Sequence, residues 1–157
     1  MKPVFFDLMI QKHLTLSSVE SVTGGLFAYT ITKHPKASQF YIGGHVVYND
    51  NAKCHLADIN LDLLHQFSAI SKEVAIELAN HTLKQTNSDL CIALVGNAGP
   101  TAQDNQPIGL MIMAIVSKDD MMVYQDHLKG TRINNQKEIV RLASQRLLAF
   151  IENTSSK

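Results

Sequence analysis

Apolar residues recur at helical spacing in several segments of the chain, which contains 157 residues. Positions three and four residues apart lie on one face of a helix, so each stripe predicts a helix packed against a core. Ser71 adds a typical N-cap residue just before one of these segments. The pattern and its capping residues predict six helices, over residues 3–12, 26–33, 49–56, 61–67, 72–86 and 134–151.

Five other segments are short and rich in β-branched and apolar residues, which is typical of strands. Gly43 and Gly44 indicate a bulge or a close backbone approach in one of them. The predicted strands cover residues 14–19, 40–48, 89–95, 108–117 and 121–128, and the last two form a hairpin. This mixture predicts an α/β fold, a three-layer α/β/α sandwich with a mixed β-sheet. We expect a single domain over residues 1–157, with a frayed tail at 152–157.

Composition and charge exclude several classes of partner. Fourteen Lys and Arg residues balance fourteen Asp and Glu residues, so no net field favours nucleic acid. The longest apolar run, residues 110–116, is far shorter than the roughly 20 residues that span a bilayer. No secretory signal is indicated, and Cys54 and Cys91 have no disulfide-framework or metal-cluster spacing. We therefore expect a cytoplasmic protein that binds neither nucleic acid nor membranes.

Two loops that follow predicted buried strands are rich in small residues, over 20–25 and 96–100. Ligands of open α/β sheets bind where such loops converge, at the carboxyl ends of strands. Ser21 lies at a strand-to-helix turn, and the amides of Thr23, Gly24 and Gly25 open the next helix. This arrangement suits a nucleophile with an oxyanion hole, or a phosphate site. The local sequence taken alone favours a simple N-cap and a tight turn.

Other polar residues add a possible base and an anion clamp. Tyr48 and Lys53 flank a strand end and a helix start, so both can be aimed at one point. A lysine in a dry pocket can be the neutral base that a serine requires, although edge tyrosines and solvated lysines are common. Arg132 could clamp a phosphate or carboxylate, or be a solvated residue before the last helix. The seven histidines lack metal-ligand spacing, so we expect no metal.

Five short motifs occur in a specific order along the chain, at residues 21–25, 41–53, 69–71, 98–100 and 107–109. They read Ser-Val-Thr-Gly-Gly, Tyr-Ile-Gly-Gly-His-Val-Val-Tyr-Asn-Asp-Asn-Ala-Lys, Ala-Ile-Ser, Ala-Gly-Pro and Pro-Ile-Gly. In this order they resemble the CinA C-terminal domain family, the nicotinamide-nucleotide amidases of bacterial pyridine-nucleotide salvage. The resemblance implies deamidation of nicotinamide mononucleotide to nicotinate mononucleotide and ammonia, without a cofactor, by a homo-oligomer.

The resemblance also assigns roles to individual residues. Ser21 would attack the carboxamide, Lys53 would take and return the proton, and Tyr48 would support that transfer. The amides of Thr23, Gly24 and Gly25 would hold the oxyanion, and Arg132 would bind an anionic group of the nucleotide. The loop over residues 96–100, the glycine-rich loop, would complete the substrate site with Gly96, Asn97, Ala98 and Gly99.

Three departures from the family pattern leave two function classes open. Val22 stands where the family usually has Cys, and Val95 stands where it has a Thr whose hydroxyl could contact substrate or lysine. Residues 101–106 replace a glycine-rich run. The retained Ser, Tyr, Lys and Arg favour an amidase. The altered loop and Val95 favour the alternative, a divergent non-catalytic nucleotide-binding or interaction protein on the same scaffold.

Overall fold

A five-stranded mixed sheet forms the centre of the protein in a computed structural model that describes residues 1–102 and 105–154. The strand order is β2-β1-β3-β4-β5. β1 pairs in parallel with β2 and with β3, whereas β3, β4 and β5 pair antiparallel. The strands are β1 (Leu16–Glu20), β2 (Tyr41–Val46), β3 (Leu90–Gly96), β4 (Leu110–Ser117) and β5 (Met121–His127). The carboxyl ends of the three parallel strands therefore share one edge of the sheet.

Helices cover both faces of the sheet. They are α1 (Phe6–Gln11), α2 (Leu26–Thr32), α3 (Asp50–Ala57), α4 (Leu61–Phe67), α5 (Lys72–Thr86) and α6 (Arg132–Thr154), with a 3-10 helix at Ala37–Gln39. One core cluster joins the sheet to α1, α2 and α6, and the other joins it to α3, α4 and α5. Leu16 packs in the first cluster and Val19 in the second, because alternate residues of a strand face opposite sides. The predicted three-layer sandwich is confirmed.

Local sequence signals explain several helix boundaries. The Ser71 hydroxyl accepts a hydrogen bond from the Val74 amide at 3.2 Å, which satisfies an otherwise unpaired donor in the first turn of α5. Asn87 ends that helix in the left-handed conformation, with φ at 50°. Asn49 caps α3 in the same way as Ser71, since its side chain accepts from the Ala52 amide at 2.8 Å. Both α4 and α5 cover the residues predicted for them.

Both ends of the last helix, α6, differ from the sequence prediction. Residues 152–154 were expected to fray, and this expectation is wrong, because they form the last turn of α6. Ile151 is fully buried and anchors that turn, and the Thr154 hydroxyl donates to the Phe150 carbonyl at 3.0 Å. Residues 155–157 lie outside the described part of the chain. At its other end α6 begins earlier than predicted, so Arg132 is its first residue.

No helix within residues 1–102 and 105–154 is both long and apolar enough to cross a bilayer. The expected cytoplasmic location and the homo-oligomeric state stay predictions.

The predicted close backbone approach at the glycine pair of β2 is confirmed at Gly44. A β-carbon on Gly44 would lie 1.7 Å from the Ser18 carbonyl oxygen of the paired strand. At Gly43 a β-carbon would meet no atom of the described residues within 4 Å. The register of β2 against β1 also shifts between Leu16 and Ser17. Only a residue without a side chain lets β2 pair with β1 at Gly44.

We expect Gly44→Ala to destabilise the protein far more than Gly43→Ala. Both residues have positive φ, 156° and 133°, so alanine is strained at either position by about 1–3 kcal/mol. The added methyl clashes with backbone only at position 44, where β2 must separate from β1. Urea unfolding of the two variants measures the difference. Equal losses of unfolding free energy would show that contact with Ser18 does not matter.

Candidate active site

A cavity of about 190 Å³ lies at the shared carboxyl edge of the parallel strands. It is lined by Ser21, Val22, Tyr48, Lys53, Ala69, Ile70, Gly96, Asn97, Ala98 and Arg132. The three residues assigned a catalytic role from sequence are therefore in one cavity, together with Arg132 and most of the glycine-rich loop. These residues come from four distant parts of the chain, and the sheet topology brings them together.

The turn that carries Ser21 is shaped by a buried carboxylate that the sequence analysis did not single out. Glu20, the last residue of β1, is 1% exposed. Its carboxylate accepts four hydrogen bonds, from the Thr23 hydroxyl (2.6 Å) and the amides of Gly25 (3.1 Å), Phe27 (3.0 Å) and Ala28 (2.8 Å). It thereby fills the N-terminus of α2 and neutralises the partial positive charge there. An acidic residue between an apolar strand and a helix start is the signal that could have indicated it.

Two of the amides predicted for the oxyanion hole donate hydrogen bonds within this turn. The Gly25 amide donates to Glu20, and the Gly24 amide donates to the Ser21 carbonyl at 3.2 Å. Thr23 is buried, with its hydroxyl bound to the same carboxylate. These three residues lie outside the cavity lining found for the described chain. The assignment of their amides to the oxyanion stays a prediction.

Ser21 itself faces the cavity from a fixed backbone. Its amide donates to the Leu94 carbonyl of β3 at 2.9 Å, and its carbonyl accepts from the Gly24 amide. The residue is half-buried. The turn thus leaves the Ser21 side chain at the cavity wall while its backbone is tied to the neighbouring strand.

Lys53 contributes a buried amine to the same cavity. Its side chain is 3% exposed, and its Nζ donates to the Asp50 carboxylate at 3.0 Å. Both residues lie in α3, and the Asp50 side chain is about half exposed. A lysine this deeply buried can exchange a proton only with a group within hydrogen-bond distance of its amine.

Tyr48 and Arg132 meet at the cavity mouth. Tyr48 lies beyond the end of β2, where its side chain is exposed, and its hydroxyl accepts a hydrogen bond from Arg132 Nη2. Arg132 Nη1 donates to the Gly99 carbonyl at 2.6 Å. A hydroxyl that accepts from a guanidinium keeps its own hydrogen for another acceptor. Arg132 therefore links the tyrosine to the glycine-rich loop across the opening.

The glycine-rich loop is held by Asn97, which is 4% exposed. Its Nδ2 donates to the carbonyls of Thr101 (3.0 Å) and Gln106 (3.4 Å), and its Oδ1 accepts from the Gly99 amide (2.9 Å). The side chain that was predicted to bind substrate is thus engaged in bracing the loop. Gly96, Asn97 and Ala98 line the cavity, whereas Gly99 contacts it through Arg132. Residues 103 and 104, which belong to the segment 101–106 that departs from the family pattern, lie outside the described residues.

Cavity residues lie at or just before the first turns of three helices. Lys53 lies in α3, Ile70 precedes α5, and Arg132 begins α6. Helix N-termini carry a partial positive charge, which Lys53 and Arg132 reinforce. The electrostatics favour a ligand with negative charge.

Other potential sites lack this chemistry. A larger groove of about 660 Å³ between the N-terminal segment, α2 and α6 is mainly apolar, and none of the predicted site residues lines it. Burial raises the pKa of the Cys91 thiol to about 12, which leaves it without nucleophilic character at neutral pH. Within residues 1–102 and 105–154, no group of three or more His, Cys, Asp or Glu residues is placed to hold a metal.

Residues 1–151 match the CinA C-terminal domain family. The chain belongs to this family. A protein of Bacillus subtilis (strain 168) that is named as a competence-damage inducible protein is 34% identical to this chain over 142 residues, which are 90% of this chain and 34% of that protein. A CinA-like protein of Petrotoga mobilis is 29% identical over 147 residues, 93% of this chain and 36% of its own length. The chain thus spans about a third of the length of these relatives.

Solved structures of the CinA superfamily have the same fold. A superfamily protein of Escherichia coli superposes with a TM-score of 0.88 at 28% identity, covering 93% of this chain and 86% of that one. The competence/damage inducible protein CihA of Agrobacterium tumefaciens superposes with a TM-score of 0.87 at 26% identity, covering 92% and 90%. The family and the fold that the motifs indicated are confirmed.

We expect Glu20→Gln to destabilise this CinA domain by about 2–3 kcal/mol, since an amide nitrogen would face a backbone donor and the charge-assisted bonds would be lost. Glu73→Gln is the matched control, because Glu73 is exposed in the first turn of α5. It should change stability by less than about 0.5 kcal/mol. Urea unfolding measures both. If the two variants lose equal stability, the Glu20 carboxylate does not hold the turn.

Proposed function

We propose that the chain is a serine-dependent amidase that hydrolyses the carboxamide of nicotinamide mononucleotide. The products would be nicotinate mononucleotide and ammonia. The observation that carries this proposal is that Ser21 and the buried amine of Lys53 line one cavity of about 190 Å³. A hydroxyl and an amine in a small enclosed site are the groups that acyl transfer from an amide requires.

The proposed reaction has two steps. Ser21 Oγ attacks the carboxamide carbon while an uncharged Lys53 amine takes the hydroxyl proton. The same proton passes to the leaving nitrogen, the C–N bond breaks, and ammonia departs from an acyl-serine ester. Water then attacks the ester with Lys53 as base again, which releases the acid and restores Ser21.

Tyr48 and Arg132 would assist at the carbonyl oxygen and the leaving group. Because Tyr48 accepts from Arg132, its own hydrogen can be donated into the cavity as negative charge develops on substrate. The Gly24 and Gly25 amides donate within the turn, so we assign this donation to Tyr48. Asp50 would hold the Lys53 side chain in place between proton transfers.

The size of the cavity suggests which part of the nucleotide it would enclose. Its volume is below the about 300–1,000 Å³ typical of pockets that enclose whole small molecules. The carboxamide-bearing ring would enter, and the ribose and phosphate would extend across the mouth. Arg132 is exposed at that mouth and uses two of its five donors in bonds to other described residues, so it is suited to meet the phosphate.

A non-catalytic nucleotide-binding protein is the second candidate. The Lys53–Asp50 ion pair favours it, since a lysine that donates to a carboxylate is arranged as a cation for an anionic ligand. This alternative predicts nucleotide binding without release of ammonia.

We expect Ser21→Ala to abolish ammonia release from nicotinamide mononucleotide while leaving its binding within about threefold, because the hydroxyl forms the covalent bond and adds little ground-state affinity. Lys53→Arg should lose almost as much turnover, since a guanidinium stays protonated. Ammonia release and calorimetric binding are measured with the free base and the dinucleotide as comparison substrates. Ser38→Ala is a control, because Ser38 is exposed in the 3-10 helix and lies outside the cavity lining.

The outcomes separate the two functions. Full turnover in Ser21→Ala protein would refute the nucleophile assignment. Wild-type protein that binds the mononucleotide tightly but releases no ammonia would establish the binding function instead.

We expect Arg132→Met to reduce kcat/KM for the mononucleotide more than for the corresponding nucleoside. A charge-assisted contact with phosphate is worth about 1.5–3 kcal/mol, which corresponds to a difference of about 10- to 100-fold between the two substrates. The nucleoside lacks the phosphate and reports only the lost contacts to Tyr48 and Gly99. An equal loss for both substrates would make Arg132 a brace of the loop and not a phosphate ligand.

A further inference from the structure

Side chains on one face of the first turns of α6 bind two loops that line the cavity. Arg132, Asn135 and Gln136 are spaced at i, i+3 and i+4, so they project from the same side of the helix. Each side chain donates to a backbone carbonyl of a cavity loop. Arg132 donates to Gly99, Asn135 to Ala98 at 3.2 Å, and Gln136 to Val22 at 2.9 Å.

The contact of Gln136 is the one that lies beside the nucleophile. Val22 follows Ser21 directly, and 114 positions separate it from Gln136 in the sequence. On the other side of the turn, the amides of Ser21 and Val22 both point to the Leu94 carbonyl, at 2.9 and 3.4 Å. The peptide next to Ser21 is therefore held between β3 and α6.

We propose that Gln136 is a positioning residue for Ser21, which fixes the direction of its hydroxyl by tethering the Val22 carbonyl to α6. This inference rests on the proposed amidase function. On the α2 side the Gly24 amide donates to the Ser21 carbonyl, and the Glu20 carboxylate engages residues 23–28. Gln136 adds the side-chain hydrogen bond to the next carbonyl, that of Val22. A displacement of about 1 Å of an attacking atom lowers the rate by roughly 100-fold.

Gln136 can be tested with less damage than its neighbours. Asn135 is 2% exposed, and it also accepts from the Gly130 amide at 2.9 Å, so its loss disturbs the chain before α6. Arg132 contacts Tyr48 and belongs to the proposed substrate site. Gln136 is half-buried, and within the described residues its side chain makes one hydrogen bond, to the Val22 carbonyl.

The experiment compares two substitutions of similar length. Gln136→Met removes the donor, and kcat for ammonia release from nicotinamide mononucleotide should fall about 10- to 100-fold, with KM changed less than about threefold. Gln136→Lys restores a donor and should recover most of the lost kcat. Lys137→Met, on the exposed side of the same turn, is the control and should leave kcat unchanged.

Two results would overturn the proposal. One is wild-type kcat in the Gln136→Met protein. The other is a kcat in Gln136→Lys as low as in Gln136→Met. A loss of kcat that a new hydrogen-bond donor does not restore would reflect helix packing alone. Melting temperatures of all variants separate such packing effects from positioning.

Hydrogen exchange gives a readout that does not depend on amidase activity. In Gln136→Met protein the amides of Ser21, Val22 and Gly24 should exchange at least several-fold faster than in wild type, while the Val74 amide in α5 should be unchanged. If wild-type protein releases no ammonia, the proposed function fails, and exchange still decides whether Gln136 holds the turn. Unchanged exchange at all three amides would overturn the tether.

Discussion

The carboxylate of Glu20 is the constraint on which the candidate site depends. A carboxylate that is 1% exposed is tolerated in a core only when donors replace the lost water, and four donors do so here. Because three of them are amides at the start of α2, the strand β1 must end and turn into that helix within a few residues. Ser21 occupies this turn, so its location at the carboxyl edge of the sheet follows from the burial of its neighbour.

This arrangement decides where a substrate's charge can be met. Helix N-termini commonly bind anions, but the N-terminus of α2 is already filled by a side chain of the protein. Two basic side chains, Lys53 and Arg132, line the cavity from α3 and α6. They differ in exposure, since the lysine is buried and the arginine lies at the mouth. That difference separates a group suited to proton transfer inside from one suited to phosphate outside.

Much of the fold could be predicted from sequence because its signals are local. Ser71 and the apolar stripe after it placed α5, and the unbroken apolar run near residue 92 indicated a fully buried strand. The motifs also grouped Ser21, Tyr48 and Lys53 correctly in one cavity. The acidic residue at the end of an apolar strand was a signal for Glu20, but its bonds to the amides at the start of α2 could not be predicted, because they depend on how α2 packs against β1.

The contact between Gln136 and Val22 was equally inaccessible to sequence analysis, because the tertiary fold alone joins residues 114 positions apart.

The departures from the family pattern can be weighed on the same physical grounds. Val95 is 1% exposed and packs in the second core cluster with Ala69 and Ile70. Replacing a threonine hydroxyl by a methyl there keeps the side-chain shape in apolar surroundings, and Val22 likewise packs in the first cluster. The Val95 substitution thus changes a group in the core beneath the site, and the Val22 substitution changes a buried group that also lines the cavity. The serine, lysine, tyrosine and arginine around the cavity are retained. Selection for packing alone does not require those four polar groups to converge on one small cavity, and this convergence is what a retained chemical role explains.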